Sequence, residues 1–317
     1  MRLTIGLAVS AAALWLVISQ MEWHKVKAAL MGADLRFVAL AALIYPLRLL
    51  IISQRWGALL ALYAPPPAFM ARLRATAIGY LANNVLPFRS GEVIRGGIIV
   101  RQGASVAAAA STLILEKILD LWALVAIALV CGGTYLQRIQ ALTQPLRVVS
   151  LMAAISFLAY LLAGLTCRED RLAAWAQRMP PRLAPLAGKL LRVFAESCRL
   201  LRRGPLLSVT LLATALNWTI EGTTVLLIAR ATGIHLPLGG ALFVVAMVGL
   251  GLTLPSSPGG IGLSQYITIT ALHAQGVETS AATAMALLLW TFCFLSVNSI
   301  GVAFLIAQSA ARREAAP

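Results

Sequence analysis

The stretch NNVLPFRSGEVIRGG, from Asn83 to Gly97, interrupts a chain that is otherwise strongly apolar. It places two arginines, one glutamate and two asparagines around a proline and a glycine. Charged side chains cost free energy in hydrocarbon, and a broken helix leaves backbone N–H and C=O groups without partners. Such a break is tolerated where it is buried in protein or lines a wet cavity. The stretch therefore predicts a broken membrane helix that carries a polar functional site.

The composition indicates a membrane protein. Of 317 residues, 60% are hydrophobic and 12% are charged, whereas soluble domains carry about 25% charged residues. We expect a single integral membrane domain over residues 1–317. The net charge of +15 is typical of cytoplasmic loops, and no folded basic domain is present to bind nucleic acid. The four cysteines form no CxxC and the three histidines have no ligand spacing, so we expect neither a metal nor a cofactor.

Apolar runs of about 20 residues predict spanning helices. Six such runs occur: Leu3–Met21, Leu35–Ile52, Ala104–Cys131, Leu146–Leu165, Pro205–Ala229 and Ala281–Ala307. Two further apolar regions, 69–101 and 238–275, are interrupted at Leu86–Gly91 and Leu254–Gly260. The apolar residues after each break, about 10 and about 15, are too few for a full span.

Charge bias predicts how the broken regions are oriented. The loop 168–204 holds nine basic residues, and the tail after Ala307 carries Arg312 and Arg313, so both should be cytoplasmic. The second broken region must then enter and leave on one side, as a re-entrant hairpin. The same reasoning puts the first hairpin, both termini and a set of basic residues on the cytoplasmic side: Arg2, Arg55, Arg72, Arg74 and Arg101. Two full crossings in place of the second hairpin also satisfy the charge bias.

An internal repeat supports this arrangement. The pattern LP-x-x-x-G occurs at Leu86–Gly91 and at Leu254–Gly259, and each copy is followed by a short apolar helix and by Gln-Gly. We interpret residues 1–131 and 146–307 as inverted repeats, a signature of transporters. Chance recurrence of Pro-Gly breaks is the alternative. The predicted fold is an all-α polytopic membrane protein with about six transmembrane helices and two opposed re-entrant helical hairpins.

The first break has the chemistry of an anion site. A short helix begins after Ser90 and Gly91, and its N-terminus favours negative charge. Arg89 precedes that end and Arg95 lies one turn further along. Together they predict a site for a phosphate-like anion, although arginines at an interface can also simply extend to the headgroups.

Other residues complete the predicted substrate site. Glu92 is three residues before Arg95 and can pair with it along the helix. Asn83 and Asn84 end the incoming helix and can cap or donate. In the second break, the glycines allow a ligand to approach the backbone; the predicted substrate-binding residues there are Ser257, Gly259 and Gly260.

Intramembrane acids form a second group of candidates. Glu116 and Asp120 lie four residues apart on one helix face, and Lys117 could neutralise Asp120. Glu221 is a lone acid deep in an apolar run. We interpret these four residues in one of three ways: as counter-ions for Arg89 and Arg95, as a proton relay that drives transport, or as structural ion pairs that fix helix packing. Arg48 is a weaker candidate of the same kind.

Three motifs together, NNVLPFRSGEVIRG, ILEKILDL and LPSSPGGIGLSQ, resemble the lysylphosphatidylglycerol synthase transmembrane-region family. The resemblance spans nearly the whole chain. It implies similarity to the flippase half of the multiple peptide resistance factor, without the aminoacyl transferase domain, so we do not expect aminoacylation. Lys117 stands where members often have Arg.

The resulting functional expectation is a non-enzymatic lipid flippase. It would move a phospholipid or polyprenyl-phosphate-linked lipid between leaflets of the bacterial inner membrane. The expected partner is a membrane lipid with an anionic headgroup, and a homodimer is left open. Two alternatives remain: an intramembrane transferase acting on a lipid-linked phosphate, and a non-catalytic partner of a lipid-synthesis complex. Enzyme motifs such as GxSxG, a P-loop or HExxH do not occur.

Overall fold

The computed structural model describes residue 15 and residues 23–86, 90–166, 198–253 and 256–314. Regular structure in these residues is entirely helical, without a strand, as predicted. The helices are α1 Trp23–Met31, α2 Leu35–Ile44, α3 Leu47–Leu60, α4 Phe69–Val85, α5 Gly91–Val100, α6 Val106–Arg138, α7 Gln140–Thr166, α8 Gly204–Ala231, α9 Leu238–Gly251, α10 Leu263–His273 and α11 Thr279–Glu314, with a 3₁₀ turn at Pro258–Gly260.

Three helical stretches in the described part of the chain are long and apolar enough to cross a membrane: Leu35–Leu60, Gly204–Ala231 and Thr279–Ser309. Two shorter apolar helices occur at Val148–Leu162 and Leu238–Gly251. The chain is therefore a multi-pass membrane protein, while the count of six spans stays a prediction. The predicted first span, Leu3–Met21, lies outside the described residues except for Trp15, and so does most of the basic loop 168–204.

The predicted span Leu35–Ile52 lies in one span-length helical stretch that is interrupted at Tyr45 and Pro46. α2 ends at Ile44 and α3 begins at Leu47, with Tyr45 and Pro46 in a turn between them. A proline inside a helix removes one hydrogen bond and crowds the preceding turn. The predicted end at Ile52 is wrong, because α3 continues to Leu60 through residues that look polar in the sequence.

Each predicted break separates two helices that pack against each other. The helices around the first break, α4 and α5, have 17 and 10 residues, so α5 is only about 15 Å long. A Cβ added to Gly79 would come within 2.9 Å of the Arg95 Cβ and 3.0 Å of the Gly91 oxygen. These glycines let α4 and α5 approach at backbone distance. Around the second break, α9 and α10 have 14 and 11 residues and also pack together.

The chain turns in the same way after both broken regions. Gly103 and Gly276 have positive φ, +99° and +83°, which glycine adopts without strain. The next amide bonds back to the helix at equivalent positions, from Ala104 to the Ile99 oxygen at 3.2 Å and from Val277 to the Leu272 oxygen at 3.1 Å. The shared Gln-Gly pattern therefore corresponds to a shared turn.

Contacts between the two halves are reciprocal. α4 of the first half packs against α11 of the second half, and α9 of the second half packs against α6 of the first half. α3 packs against α8 and also contacts α4 and α6. α3 thus lies where the helices that carry the predicted acids and arginines converge, and this position determines the site described next.

Candidate functional site

Arg95 and Glu116 form a fully buried ion pair between α5 and α6. The Arg95 Nη1 and Nη2 atoms donate to Glu116 Oε1 and Oε2 at 2.7 and 3.1 Å. The side chains are 1% and 0% exposed. The guanidinium also lies over the Trp56 ring, 4.0 Å from its centroid, and the Trp56 indole N–H donates to Thr112 at 3.0 Å. Charge, ring stacking and hydrogen bonds therefore all fix Arg95 in place.

A second arginine joins this pair from α3. Arg55 Nη1 and Nη2 donate to Asp120 Oδ1 and Oδ2 at 2.6 and 3.1 Å. Nη1 also donates to Thr214 Oγ1 at 3.1 Å, which brings α8 into the site. Arg55 Nη2 is 3.7 Å from Glu116 Oε1. We call these four residues, Arg55, Arg95, Glu116 and Asp120, the buried network.

The buried network is electrically balanced, with two guanidinium groups and two carboxylates. Removing charges from water costs several kcal/mol per ion, and only close partners repay that cost. Each guanidinium is matched by a bidentate carboxylate. The Nε atoms of Arg55 and Arg95 are nevertheless buried without an acceptor among the described residues. The network thus keeps unused donor capacity although it carries no net charge.

A more exposed ion pair borders the network. Lys117 Nζ lies 2.9 Å from Glu92 Oε1, with side chains 42% and 24% exposed. Asn83 connects this pair to the first break, since its Nδ2 donates to Glu92 at 3.3 Å and its Oδ1 accepts the Gly91 N–H at 2.9 Å. The capping role expected of Asn83 is confirmed by the second bond.

Two predicted pairings are wrong. Glu92 pairs with Lys117 across α5 and α6, and not with Arg95 along its own helix. Asp120 pairs with Arg55 and not with Lys117. In both cases a partner on a facing helix displaces the neighbour in sequence, because a bidentate or tertiary contact is stronger than a contact along one helix face.

The tips of the two broken regions meet. A Cβ on Gly259 would lie 3.4 Å from the Asn84 carbonyl oxygen and 3.2 Å from Phe294. α11 binds both tips, because Trp290 Nε1 donates to the Gly259 oxygen at 2.9 Å and Asn298 Oδ1 accepts from Asn84 Nδ2 at 2.9 Å. The second-break glycines thus bring the backbone close to protein groups.

The remaining predicted residues of the second break line the same turn. Ser257 is buried and donates to the Ile261 oxygen at 3.0 Å. Gly260 has φ +65° and faces Leu252. Arg89, the other predicted anion-binding arginine, lies outside the described residues together with Pro87 and Phe88, as do Leu254 and Pro255.

A separate ion pair joins Arg48 of α3 to Glu221 of α8. Arg48 Nε also donates to Asn217 Oδ1 at 3.1 Å, and Nη1 donates to the Tyr45 hydroxyl at 2.9 Å. The Arg48 and Glu221 side chains are 13% and 19% exposed. Glu221 is therefore the counter-ion of Arg48, whereas the sequence had suggested Arg89 or Arg95.

Arg55 is the functional candidate that the sequence analysis missed. It was assigned to a cytoplasmic loop, but its side chain is 1% exposed and lies within α3. The sequence did contain a signal that Arg55 lies in the membrane helix with Arg48, because the two arginines are seven residues apart and therefore share one helix face. Two acids on the opposing helix, Glu116 and Asp120, also required two cations.

The family model described as lysylphosphatidylglycerol synthase TM region matches residues 3–301 of the chain. The UPF0104 membrane protein PH1989 of Pyrococcus horikoshii is 26% identical over 290 residues, which cover 82% of this chain and 83% of that protein.

Proposed function

The chain belongs to the lysylphosphatidylglycerol synthase TM region family, and from this premise we propose that it moves a lipid with an anionic, phosphate-containing headgroup between membrane leaflets. The family relationship indicates a lipid-related membrane function. The observation that carries the proposal is the balanced buried network beside two helix breaks whose tips meet. Intramembrane charges of this kind mark transport pathways.

The network explains how a phosphate could be bound and released. The guanidinium of an arginine donates two parallel hydrogen bonds to a carboxylate or to a phosphate with the same bidentate geometry. A headgroup phosphate can therefore replace Glu116 at Arg95, or Asp120 at Arg55, without leaving a guanidinium unpaired. The unused Nε donors of both arginines supply additional contacts.

The Lys117–Glu92 pair supplies the route to the network. Its side chains are partly exposed although the surrounding helices are apolar. Exposing a lysine to the hydrocarbon centre costs about 2.5–3.5 kcal/mol, so this face would meet water or headgroups. Asn83 links it to the first break, where Arg89 would add the one positive charge that the network does not balance. Acyl or prenyl chains would remain in lipid.

The proposal includes the finer architecture. Reciprocal packing of α4 on α11 and of α9 on α6 supports inverted repeats, and the short α5 and α10 support re-entrant hairpins that enter from opposite sides. Six spans with both termini in the cytoplasm of a bacterial cell, across the inner membrane, complete this topology. Alternating access would then move one half against the other around the network.

The test is leaflet exchange of labelled lipids in proteoliposomes, with a phospholipid and a polyprenyl phosphate compared side by side. We expect one of them to be exchanged, and Arg89→Ala to abolish that exchange. Arg101→Ala is the matched control, because Arg101 is exposed just after α5 and should not affect exchange. Equal melting temperatures of the variants would separate function from folding.

Two outcomes would contradict the proposal. Normal exchange by Arg89→Ala would remove Arg89 from the site. Absence of exchange for both lipids, combined with a modified lipid product formed in detergent where no leaflets exist, would favour an intramembrane transferase that uses the same arginines.

A further inference from the structure

The Arg48–Glu221 pair differs from the buried network in the hydrogen-bond acceptors that the arginine keeps when the carboxylate is protonated. Arg48 also donates to Asn217 Oδ1 and to the Tyr45 hydroxyl, so its guanidinium keeps two neutral acceptors. Arg95, in contrast, has hydrogen bonds only to Glu116 among the described residues. Loss of the negative charge is therefore much less costly at Glu221 than at Glu116, since an unsatisfied buried cation carries the larger penalty.

A small cleft reaches Arg48, the arginine of this pair. It has room for about one water molecule, and its polar lining consists of Tyr45, Arg48, Tyr80 and Ser296. The hydroxyl groups of Tyr80 and Ser296 have no hydrogen-bond partner among the described residues, so they are available to water. The exposed fractions of Arg48 and Glu221, 13% and 19%, agree with partial access.

The same two helices connect this pair to the buried network. On α3, Arg55 follows Arg48 by seven residues, and on α8, Glu221 follows Thr214 by seven residues. Seven residues are two helical turns, or about 10 Å. Arg48 contacts Glu221 and Arg55 contacts Thr214, so both contacts tie α3 to α8. α3 begins directly after the Tyr45–Pro46 turn, where the Arg48 and Leu49 amides bond three residues back instead of four.

We propose that Glu221, paired with Arg48 beside the Tyr45–Pro46 turn, is the carboxyl group that takes up and releases the coupling proton. The inference rests on the proposed transport function. Protonation of Glu221 weakens the Arg48–Glu221 contact between α3 and α8. α3 can then pivot at Pro46, and this movement shifts Arg55 relative to Asp120. The titratable and charged groups that face Glu221 are Arg48, Tyr45 and Cys293, with Tyr80 close to Arg48.

The first test does not depend on transport. Infrared difference spectra of the full chain in lipid nanodiscs, recorded while the pH is lowered, detect the C=O stretch of a carboxyl group as it becomes protonated. We expect a band from a buried carboxyl that disappears in Glu221→Gln and persists in Glu92→Gln. In Arg48→Lys, a second variant that keeps the positive charge, we expect the midpoint of the same band to shift. A band that is unchanged in Glu221→Gln and Arg48→Lys would overturn the inference.

The second test measures lipid exchange in proteoliposomes with and without a pH gradient. We expect the gradient to accelerate exchange several-fold in the wild type and in Asp34→Asn, a change at an exposed acid just before α2, and to have no effect in Glu221→Gln. A gradient response retained by Glu221→Gln would overturn the inference while leaving the proposed function intact. No exchange by the wild type, together with the Glu221 band in the infrared spectra, would overturn the transport proposal separately from the protonation site.

Discussion

The buried network and the Arg48–Glu221 pair use the same residue types in two different ways. Both join arginines to acids between membrane helices, and both involve α3. In the network the Arg95–Glu116 pair is 1% and 0% exposed and each guanidinium is matched to carboxylate oxygens. The other pair is partly exposed, and its arginine has two additional neutral acceptors. The supply of neutral acceptors around the cation, rather than the ion pair itself, decides which carboxylate can change charge.

The largest effect is expected when one charge is removed from the buried network. Glu116→Gln leaves two buried arginines with a single carboxylate, which should lower the free energy of unfolding by about 3–5 kcal/mol. Glu221→Gln is the matched change at the other pair and should cost roughly 1–2 kcal/mol, since Arg48 keeps its neutral acceptors. Unfolding titrations of both variants in one detergent measure the difference.

A double substitution sharpens this prediction. Replacing Arg95 by Met and Glu116 by Leu removes both charges, and apolar replacements of buried ion pairs are often neutral or stabilising. We expect stability close to the wild type but no lipid exchange. If Glu116→Gln and Glu221→Gln proved equally stable, the distinction between the two ion pairs would be lost.

An intermediate effect is expected from the close approach that holds Arg95 in place. A Cβ on Gly91 would overlap the Gly79 carbonyl oxygen and crowd Asn83. Gly91→Ala should therefore separate α4 from α5 and cost about 1–3 kcal/mol. Gly97 is the control on the same helix, because no atom lies within 4 Å of an added Cβ. Gly97→Ala should stabilise by up to about 1 kcal/mol, and thermal melting compares the two. Equal melting temperatures would show that the packing of α4 on α5 does not depend on this contact.

The sequence was sufficient to locate the breaks and the all-helical class. Prolines and glycines at Leu86–Gly91 and Leu254–Gly260 restrict the backbone locally, so they act through rules that hold for any chain. The Gln-Gly pairs were noted only as part of the repeat, and the structure shows that the glycine of each has positive φ. The turn at Tyr45–Pro46 follows the same rule and was not predicted, although the run around it does form one span-length helical stretch.

The ion pairs were only partly predictable. Glu116 was expected to neutralise an arginine, and the structure pairs it with Arg95. Sequence spacing suggested Glu92 with Arg95 and Lys117 with Asp120, since it describes neighbours on one helix face. The real partners are set by which helices face each other, and that depends on α3 packing between α6 and α8. Arg55 was assigned to a loop because a lone arginine after an apolar run resembles the positive-inside pattern.

The smallest effect is expected at the Lys117–Glu92 pair, which borders the network but is 42% and 24% exposed. Ion pairs in contact with solvent contribute about 0–1 kcal/mol. Lys117→Met and Glu92→Gln should each change stability by less than about 1 kcal/mol, with a similarly small coupling energy in a double-mutant cycle. The melting temperature should therefore stay near that of the wild type, while lipid exchange should fall if headgroups reach the network here. A coupling energy of about 3 kcal/mol or more, as found for buried pairs, would mean that Lys117 and Glu92 belong to the buried network and that its entrance lies elsewhere.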